Sequence, residues 1–206
     1  MAHSAGIHRA DNRRVKLPPY DAILLTGGAA TRMGGRPKPA MLVGDTSLAE
    51  RVATAVAGAA RLIVVGPAFG LDADVVTAEE PPGSGPVAAI AAGVGHVRTA
   101  YVAVLAADLP FLTAEVIDDL RTAVIGFDVA LLTDDSGNDQ FLCAVWPTGA
   151  LRAALDRLGE SAGASVRQLV AHGGRAVRRS VSTMDGPPPW FDCDTEADLR
   201  RARRWV

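Results

Sequence analysis

The chain has 206 residues, which is long enough for one α/β domain and too short for two of ordinary size. Hydrophobic residues make up 49% of the chain and charged residues 21%, as in globular proteins that bury a sizeable core. The formal net charge of -2 argues against a nucleic-acid binder, which needs an excess of Lys and Arg on one face, so any anion site must be local.

Residues 1–19 carry basic residues but lack the apolar segment of a secretory signal, and no apolar run in the chain is long enough to cross a bilayer. We therefore expect a cytoplasmic protein without a membrane partner, with a disordered extension over residues 1–19 and one domain over residues 20–206. Cys143 and Cys193 have no further Cys or His at metal-ligand spacing, so we expect them to be reduced structural thiols.

The first predicted element is a short buried strand over residues 22–25, which leads into a glycine-rich loop. From Gly27 to Lys38 the loop contains four glycines together with Arg32, Arg36 and Lys38 itself. Glycines let backbone N–H groups converge on a bulky anion, and the cations neutralise it. The spacing fits neither a P-loop nor a dinucleotide-binding fingerprint. The loop predicts a polyphosphate site, and the alternative is a flexible loop with solvated charges.

Residues 24–38, L-L-T-G-G-A-A-T-R-M-G-G-R-P-K, resemble the signature L-x-G-G-x-x-x-R-M-G-x-x-x-K of the MobA-like nucleotidyltransferase family. The resemblance implies that Arg32 and Lys38 are catalytic and hold the β- and γ-phosphates of a nucleotide. It also implies that backbone amides near the end of the strand cradle the nucleotide, through Leu25, Thr26, Gly27 and Gly28.

A helix over residues 48–58 follows, preceded by N-cap residues at 45–47, and then a buried strand over residues 62–66. The order strand, helix, strand predicts a right-handed crossover and a parallel sheet, whose ligands lie beyond the carboxyl ends of the strands. We expect a single-domain, three-layer α/β/α fold with a mostly parallel sheet. The resemblance implies the Rossmann-like fold of nucleotide-diphospho-sugar transferases.

A third strand is predicted at residues 74–76, and it leads to a rigid Pro/Gly corner and a helix of small residues within residues 79–94. This segment resembles the family's second motif, G-P-L-A-G-[IL], which implies that Gly85 and Pro86 help to hold the base of the nucleotide. Ala89 stands where the motif has its last Gly. Without the resemblance, the segment could equally be an ordinary helix that begins with proline.

The clearest predicted strand spans residues 101–106 and ends just before Asp108. A carboxylate there is well placed to hold Mg²⁺ against a triphosphate, and the segment resembles the family's D-x-P-[FY] motif, whose Asp is a metal ligand. An Asp after a strand more often caps the next helix. Thr113 is, however, the natural N-cap of the helix predicted over residues 114–123, which leaves Asp108 free for a metal.

Beyond this helix the pattern alternates between strands, a polar turn over residues 134–140 and helices. The predicted strands span residues 127–133, 141–146 and 175–181, and the predicted helices span residues 148–158 and 164–172. By resemblance, the turn faces the acceptor substrate, with Asp139 and Gln140 as candidate contacts. The aspartates of the turn could equally be solvated.

The last informative stretch, residues 190–199, is predicted to be a strand end followed by a capped helix. The family pattern here is N-x-N-T-P-E-D-L, and this chain has Asp192 and Asp194 in place of the asparagines, as in related cytidylyltransferases. Asp194, or less favourably Asp192, could be a second metal ligand opposite Asp108. Alternatively, both could cap the helix.

The four matching segments occur in the family's order over nearly the whole chain. The resemblance therefore implies a Mg²⁺-dependent nucleotidyltransferase that transfers GMP from GTP to molybdopterin, with release of pyrophosphate. Two alternatives stay open: a cytidylyltransferase acting on molybdopterin or another phosphorylated small molecule, and a degenerate domain that binds nucleotide without turning it over. The sequence does not fix the oligomeric state.

Overall fold

The computed structural model describes residues 17–27, 32–33, 36–181 and 186–206, except for the side chains of residues 32 and 33. Most of the predicted N-terminal extension therefore lies outside the described residues. The strands, in chain order, are β1 (Tyr20–Leu25), β2 (Arg32–Met33), β3 (Arg36–Pro37), β4 (Leu42–Val43), β5 (Thr46–Ser47), β6 (Leu62–Val65), β7 (Val75–Thr77), β8 (Tyr101–Ala106), β9 (Val129–Thr133), β10 (Asp139–Pro147) and β11 (Ala176–Ser180).

The helices lie between and after these strands. They are α1 (Leu48–Ala55), α2 (Pro86–Val94), α3 (Ala114–Ala123), α4 (Thr148–Leu158), α5 (Val166–Ala171) and α6 (Glu196–Ala202), with a 3-10 turn at Lys38–Ala40. Two of the predicted helices, over residues 114–123 and 148–158, have the predicted bounds. No helix among the described residues is both long enough and apolar enough to cross a membrane.

Seven strands form one sheet in the order β11-β9-β10-β8-β1-β6-β7. The pairs β1–β6, β1–β8, β6–β7 and β9–β11 are parallel, whereas β10 runs antiparallel to both of its neighbours, β8 and β9. The prediction of a mostly parallel sheet is therefore confirmed, with β10 as the antiparallel strand. The carboxyl ends of β1, β6, β7 and β8 meet at one edge of the sheet, where a ligand is expected.

Both faces of the sheet are covered by helices, which gives the predicted three layers. Side chains alternate along β1: Ala22 and Leu24 pack in one core with α1 and α3, while Ile23 and Leu25 pack in a second core with α2, α4 and α5. All six residues of β1 are buried. Burial on both faces explains why residues 22–25 read as a continuous hydrophobic run. The buried Asp21 is the exception, and its carboxylate accepts hydrogen bonds from the N–H groups of Arg98 and Thr99.

Several predicted bounds were wrong. The helix predicted over residues 48–58 ends at Ala55, because the chain tightens there and the Val56 N–H donates to the carbonyl of Ala53. The strand predicted from residue 127 begins at Val129, since the Phe127 N–H donates into a turn at Val124. No strand is present at residues 190–191, where the Phe191 N–H closes a turn on the carbonyl of Pro188.

Gly93 marks the closest contact between α2 and the sheet. A Cβ atom at this position would lie 2.9 Å from Cγ2 of Ile23 and 3.0 Å from Cγ2 of Val65, which are both fully buried. We expect Gly93→Ala to lower the free energy of unfolding by about 1–3 kcal/mol through overpacking, measured by urea denaturation. The control is Gly149→Ala in α4, where a Cβ would meet nothing within 4 Å. Equal stability of the two variants would contradict this packing.

Candidate active site

A cavity of about 310 Å³ opens at the carboxyl ends of β1, β7 and β8. Its walls come from the strand ends, the Lys38 turn, the start of α2 and the segment before α6. The lining residues are Leu25, Gly27, Lys38, Pro39, Glu79, Gly83, Gly85, Pro86, Ala89, Ala106, Ala107, Asp108, Leu142 and Asp194. Most of the predicted site residues with described side chains therefore lie around one cavity.

The end of β1 contributes Leu25 and Gly27 to the cavity wall, whereas Thr26 is buried behind them. The N–H groups of Thr26 and Gly27 both donate to the carbonyl of Val65, at 3.0 and 3.3 Å, and the Thr26 hydroxyl donates to the same oxygen. These two amides therefore hold β1 against the end of β6, and their predicted contact with the nucleotide stays a prediction. Gly28 and the side chain of Arg32 lie outside the described residues.

Lys38 forms the centre of the polar end of the cavity. Its Nζ atom donates to Oδ2 of Asp108 at 2.7 Å and to Oδ1 of Asp194 at 2.5 Å. Only 7% of the Lys38 side chain is exposed, compared with 24% for Asp108 and 63% for Asp194. Three side chains from segments far apart in the sequence thus meet at one point, with the buried cation between the two carboxylates.

Backbone structure places each of these three groups. Lys38 opens the 3-10 turn after Pro37, and the Ala107 N–H before Asp108 donates to the carbonyl of Leu25 on β1. The Cys193 N–H donates to the backbone carbonyl of Asp108 at 3.1 Å and so joins the second and third segments.

The side chain of Asp194 is not needed to cap α6. Thr195 is the N-cap of this helix and forms a reciprocal capping box with Asp198. Asp108 likewise lies well before α3, whose N-cap is Thr113. The capping alternative for Asp192 and Asp194 is therefore wrong, because Thr195 occupies the N-cap position of α6. Asp108 and Asp194 line the cavity instead.

The charged groups around Lys38 shift one another's pKa values. Burial acts to lower the pKa of Lys38, but Asp108 and Asp194 outweigh it, so the pKa is raised and the group stays an ammonium. The hydrogen bond from Lys38 lowers the pKa of Asp194. Partial burial, followed by the charges of Asp194 and Asp108, raises the pKa of Asp192 to about 6. Negative charge is therefore concentrated here and only partly compensated.

The donor set at this point fits a magnesium ion. Asp108 and Asp194 both direct carboxylate oxygens to the same point, where the Lys38 ammonium lies. Mg²⁺ prefers one or two carboxylates, with phosphate oxygens and water as its other ligands. No group of three or more His, Cys, Asp or Glu side chains among the described residues is arranged to hold a metal by itself. Any metal at this site would thus depend on the nucleotide for the rest of its ligands.

The start of α2 forms a further part of the cavity wall. Gly85 has φ 99°, a left-handed conformation that favours glycine, and Pro86 follows it at the first helical position. Leu25, Pro86 and Ala89 give this part an apolar lining. The space has the character of a pocket for a flat, partly apolar group such as a nucleotide base.

Glu79 and Leu142 also line the cavity, and neither was predicted from the sequence. Glu79 follows β7, and its Oε1 atom accepts a hydrogen bond from the Gly83 N–H at 3.1 Å. The signal was present, because Glu79 comes just after a strand of the parallel sheet, as Asp108 does. It was hidden by the shortness of β7 and by the Pro/Gly corner that follows.

The polar turn before β10 makes its own contacts outside the cavity. The carboxylate of Asp134 accepts hydrogen bonds from the backbone N–H groups of Ser136 and Asn138, so it stabilises the turn itself. Asp139 forms a bidentate ion pair with Arg178 at 2.7 and 2.9 Å. Neither Asp139 nor Gln140 lines the cavity, so their role as acceptor contacts stays a prediction.

Comparison with known proteins gives consistent matches at the level of sequence. The profile of the MobA-like NTP transferase domain matches residues 22–178. A molybdenum cofactor guanylyltransferase of Bradyrhizobium sp. (strain ORS 278) is 29% identical over 200 residues, covering 88% of this chain and 91% of the relative. A probable molybdenum cofactor guanylyltransferase of Mycobacterium tuberculosis (strain ATCC 25618 / H37Rv) is 30% identical over 164 residues, covering 74% and 78%.

Solved structures share the fold at lower identity. Molybdopterin-guanine dinucleotide biosynthesis protein A from Archaeoglobus fulgidus superposes with a TM-score of 0.67 and 20% identity, covering 89% of this chain and 97% of that one. The 2-C-methyl-D-erythritol 4-phosphate cytidylyltransferase from Thermus thermophilus superposes with a TM-score of 0.64 and 17% identity, with coverage of 89% and 97%. These similarities establish the nucleotide-diphospho-sugar transferase fold.

Proposed function

Because this chain belongs to the MobA-like NTP transferase family, and is thus a nucleotidyltransferase, we propose that it transfers GMP from GTP to molybdopterin and releases pyrophosphate. The observation that supports this most is the contact of Lys38 with Asp108 and Asp194 at one end of a cavity of nucleotide size. The named guanylyltransferase relatives support the choice of GTP and of a molybdopterin acceptor.

The reaction needs charge stabilisation and positioning rather than covalent help from the protein. A phosphate oxygen of the acceptor forms a bond to the α-phosphorus of GTP, the bond from that phosphorus to the bridging oxygen breaks, and pyrophosphate leaves with the electron pair. Lys38, together with Arg32 six residues earlier in the same loop, binds the oxygens of the leaving β- and γ-phosphates. Asp108 and Asp194 are the residues that would hold Mg²⁺, which would neutralise part of the phosphate charge.

The base is placed at the far end of the cavity, towards Glu79. Three neighbouring strand intervals separate β7 from β8, so Glu79 and Asp108 follow strand ends roughly 14 Å apart. Guanine presents two adjacent donors, N1–H and N2–H, which match the two oxygens of a carboxylate. Cytosine presents only its 4-amino donor beside an acceptor, so a carboxylate at this end favours GTP over CTP.

We expect Glu79→Gln to raise the KM for GTP by roughly 10- to 100-fold, since an amide donor would face a guanine donor and one good bidentate contact is lost. The KM for CTP should change little. The KM for inosine triphosphate, which lacks the 2-amino group, should rise less in the variant than the KM for GTP. The matched control is Glu80→Gln, the exposed neighbouring residue. An equal rise of KM for GTP and CTP would contradict base reading by Glu79.

The direct test is incubation of the full chain with Mg²⁺, molybdopterin and each α-labelled nucleoside triphosphate in turn, with release of pyrophosphate and labelling of the acceptor as readouts. We expect GTP to be used and the other nucleotides to be used poorly. A preference for CTP would identify a cytidylyltransferase, as the Asp192 and Asp194 pattern allows. Binding of GTP without pyrophosphate release for any acceptor would favour a non-catalytic domain.

A further inference from the structure

The segments that carry Asp108 and Asp194 each hold an aromatic ring at the same distance along the chain. Phe111 lies three residues after Asp108, and Phe191 lies three residues before Asp194. The two ring centroids are 6.0 Å apart with their planes tilted by 53°. Besides the hydrogen bond of the Cys193 N–H to the Asp108 carbonyl and the contacts of Lys38 with both carboxylates, this ring pair joins the two segments.

Trp205, three residues after the end of α6, is the third ring of this group. Its ring stands edge-on to Phe111 at 5.4 Å and 87°, and edge-on to Phe191 at 5.1 Å and 89°, the geometry that aromatic pairs favour. The Arg201 guanidinium lies over the rings of Trp205 and Phe191, at 5.1 and 5.4 Å. We call Phe111, Phe191 and Trp205 the aromatic clasp.

The same end of the chain also contacts the segment of Lys38. Arg203 donates from Nε to the carbonyl of Leu42 at 3.0 Å. Val206 packs so closely on Gly44 that a Cβ there would lie 2.9 Å from Val206 Cγ1. Residues 42–44, just after the 3-10 turn, therefore contact residues 203–206, the segment that includes Trp205.

We propose that Trp205 is a positioning residue, which through the aromatic clasp sets the separation of Asp108 and Asp194 and thereby the place of Lys38 between them. The proposal rests on the proposed function, because it takes these three groups as the phosphate and metal end of the site. Trp205 does not line the cavity and touches no reacting atom. It acts on catalysis only through the two loops that it joins.

The position of Trp205 argues against an ordinary core role. Trp205 is 37% exposed and belongs to none of the buried apolar clusters, although Phe111 and Phe191 pack against a small cluster that includes Met41, Leu48 and Cys193. Its ring contacts fall on the two loops next to the carboxylates, and α6 connects it directly to Asp194. Loss of the ring should therefore loosen the loops more than it weakens the domain, because local opening and global unfolding are separable.

The test compares Trp205→Leu, which keeps apolar volume, with Trp205→Phe, which keeps a ring edge. Phe127→Ala is the matched control, since Phe127 is 38% exposed and carries an arginine, Arg175, over its ring at 5.7 Å. Hydrogen exchange of the Cys193 amide reports the contact between the two loops without any need for activity. Kinetics with GTP and the shift of the melting temperature by GTP with Mg²⁺ are measured alongside.

In Trp205→Leu we expect the Cys193 amide to exchange about tenfold faster or more, while the melting temperature without nucleotide stays close to that of Phe127→Ala. The value of kcat should fall roughly 10- to 100-fold, because small misplacements at a reacting centre are costly. The KM for GTP should change less than about threefold, since the base end is untouched. Trp205→Phe should restore both exchange protection and kcat.

Unchanged exchange of the Cys193 amide in Trp205→Leu would overturn the proposal, as would full activity of that variant. An equal loss of kcat in Phe127→Ala would also overturn it, because the effect would then be one of general stability. If the wild-type chain transfers no nucleotide, the proposed function fails by that result alone. The exchange of Cys193 in the three variants still decides whether the aromatic clasp fixes the loops.

Discussion

Asp108→Asn should lower the rate of nucleotidyl transfer by about 10²- to 10³-fold while leaving the fold intact, in line with the loss of one charge-stabilising group from a preorganised site. The reason is that an amide is a weak Mg²⁺ ligand, so the phosphates lose part of their neutralisation. The fold should survive because the hydrogen bond from Cys193 goes to the backbone carbonyl of Asp108. Asn also keeps an oxygen for Lys38.

The measurement is kcat at saturating GTP over a range of Mg²⁺ concentrations, together with the shift of the melting temperature by GTP with and without Mg²⁺. The control is Asp119→Asn, the same change in an exposed ion pair with Arg179 on the side of the domain. Asp119→Asn should behave as wild type. A Mg²⁺-dependent stabilisation by GTP that is equally strong in Asp108→Asn would remove this residue from the metal site.

Local patterns in the sequence were enough to predict the parts of the site that depend on one segment. Asp108 was recognisable because an apolar strand ends just before it, and the structure places it at the carboxyl end of β8 beside the cavity. Gly85 and Pro86 were identified by their resemblance to the family's second motif, since turn chemistry alone predicted only a helix that begins with proline. The positions of these elements needed only the period of a strand or the chemistry of a turn.

Contacts between distant segments could not be predicted from these patterns. Nothing near Lys38 in the sequence indicates that its ammonium lies between Asp108 and Asp194. The amides of Thr26 and Gly27 looked free for phosphate because their acceptor, on β6, is distant along the chain. The antiparallel direction of β10 is likewise a property of sheet pairing, which a strand's own hydrophobic pattern does not encode.

Lys38→Met should also lower kcat by about 10²- to 10³-fold, or about 2.7–4 kcal/mol in the barrier, because it removes the buried charge that we propose binds the leaving phosphates. Met nearly matches the Lys stem in length and suits a side chain that is only 7% exposed. The control is Arg179→Met, which removes a cation from the exposed pair with Asp119 and should leave kcat unchanged. Lys38→Met with wild-type kcat would exclude the ammonium from charge stabilisation.

The double variant Lys38→Met with Asp108→Asn tests whether the two residues act as one unit. Their side chains are 2.7 Å apart, so each single change already alters the surroundings of the other. If both stabilise charge on the same phosphates, the double variant should lose clearly less than the sum of the two single losses in activation free energy, since contacting residues are not additive. Fully additive losses would mean that Lys38 and Asp108 stabilise the transition state independently, and would contradict their action as one unit.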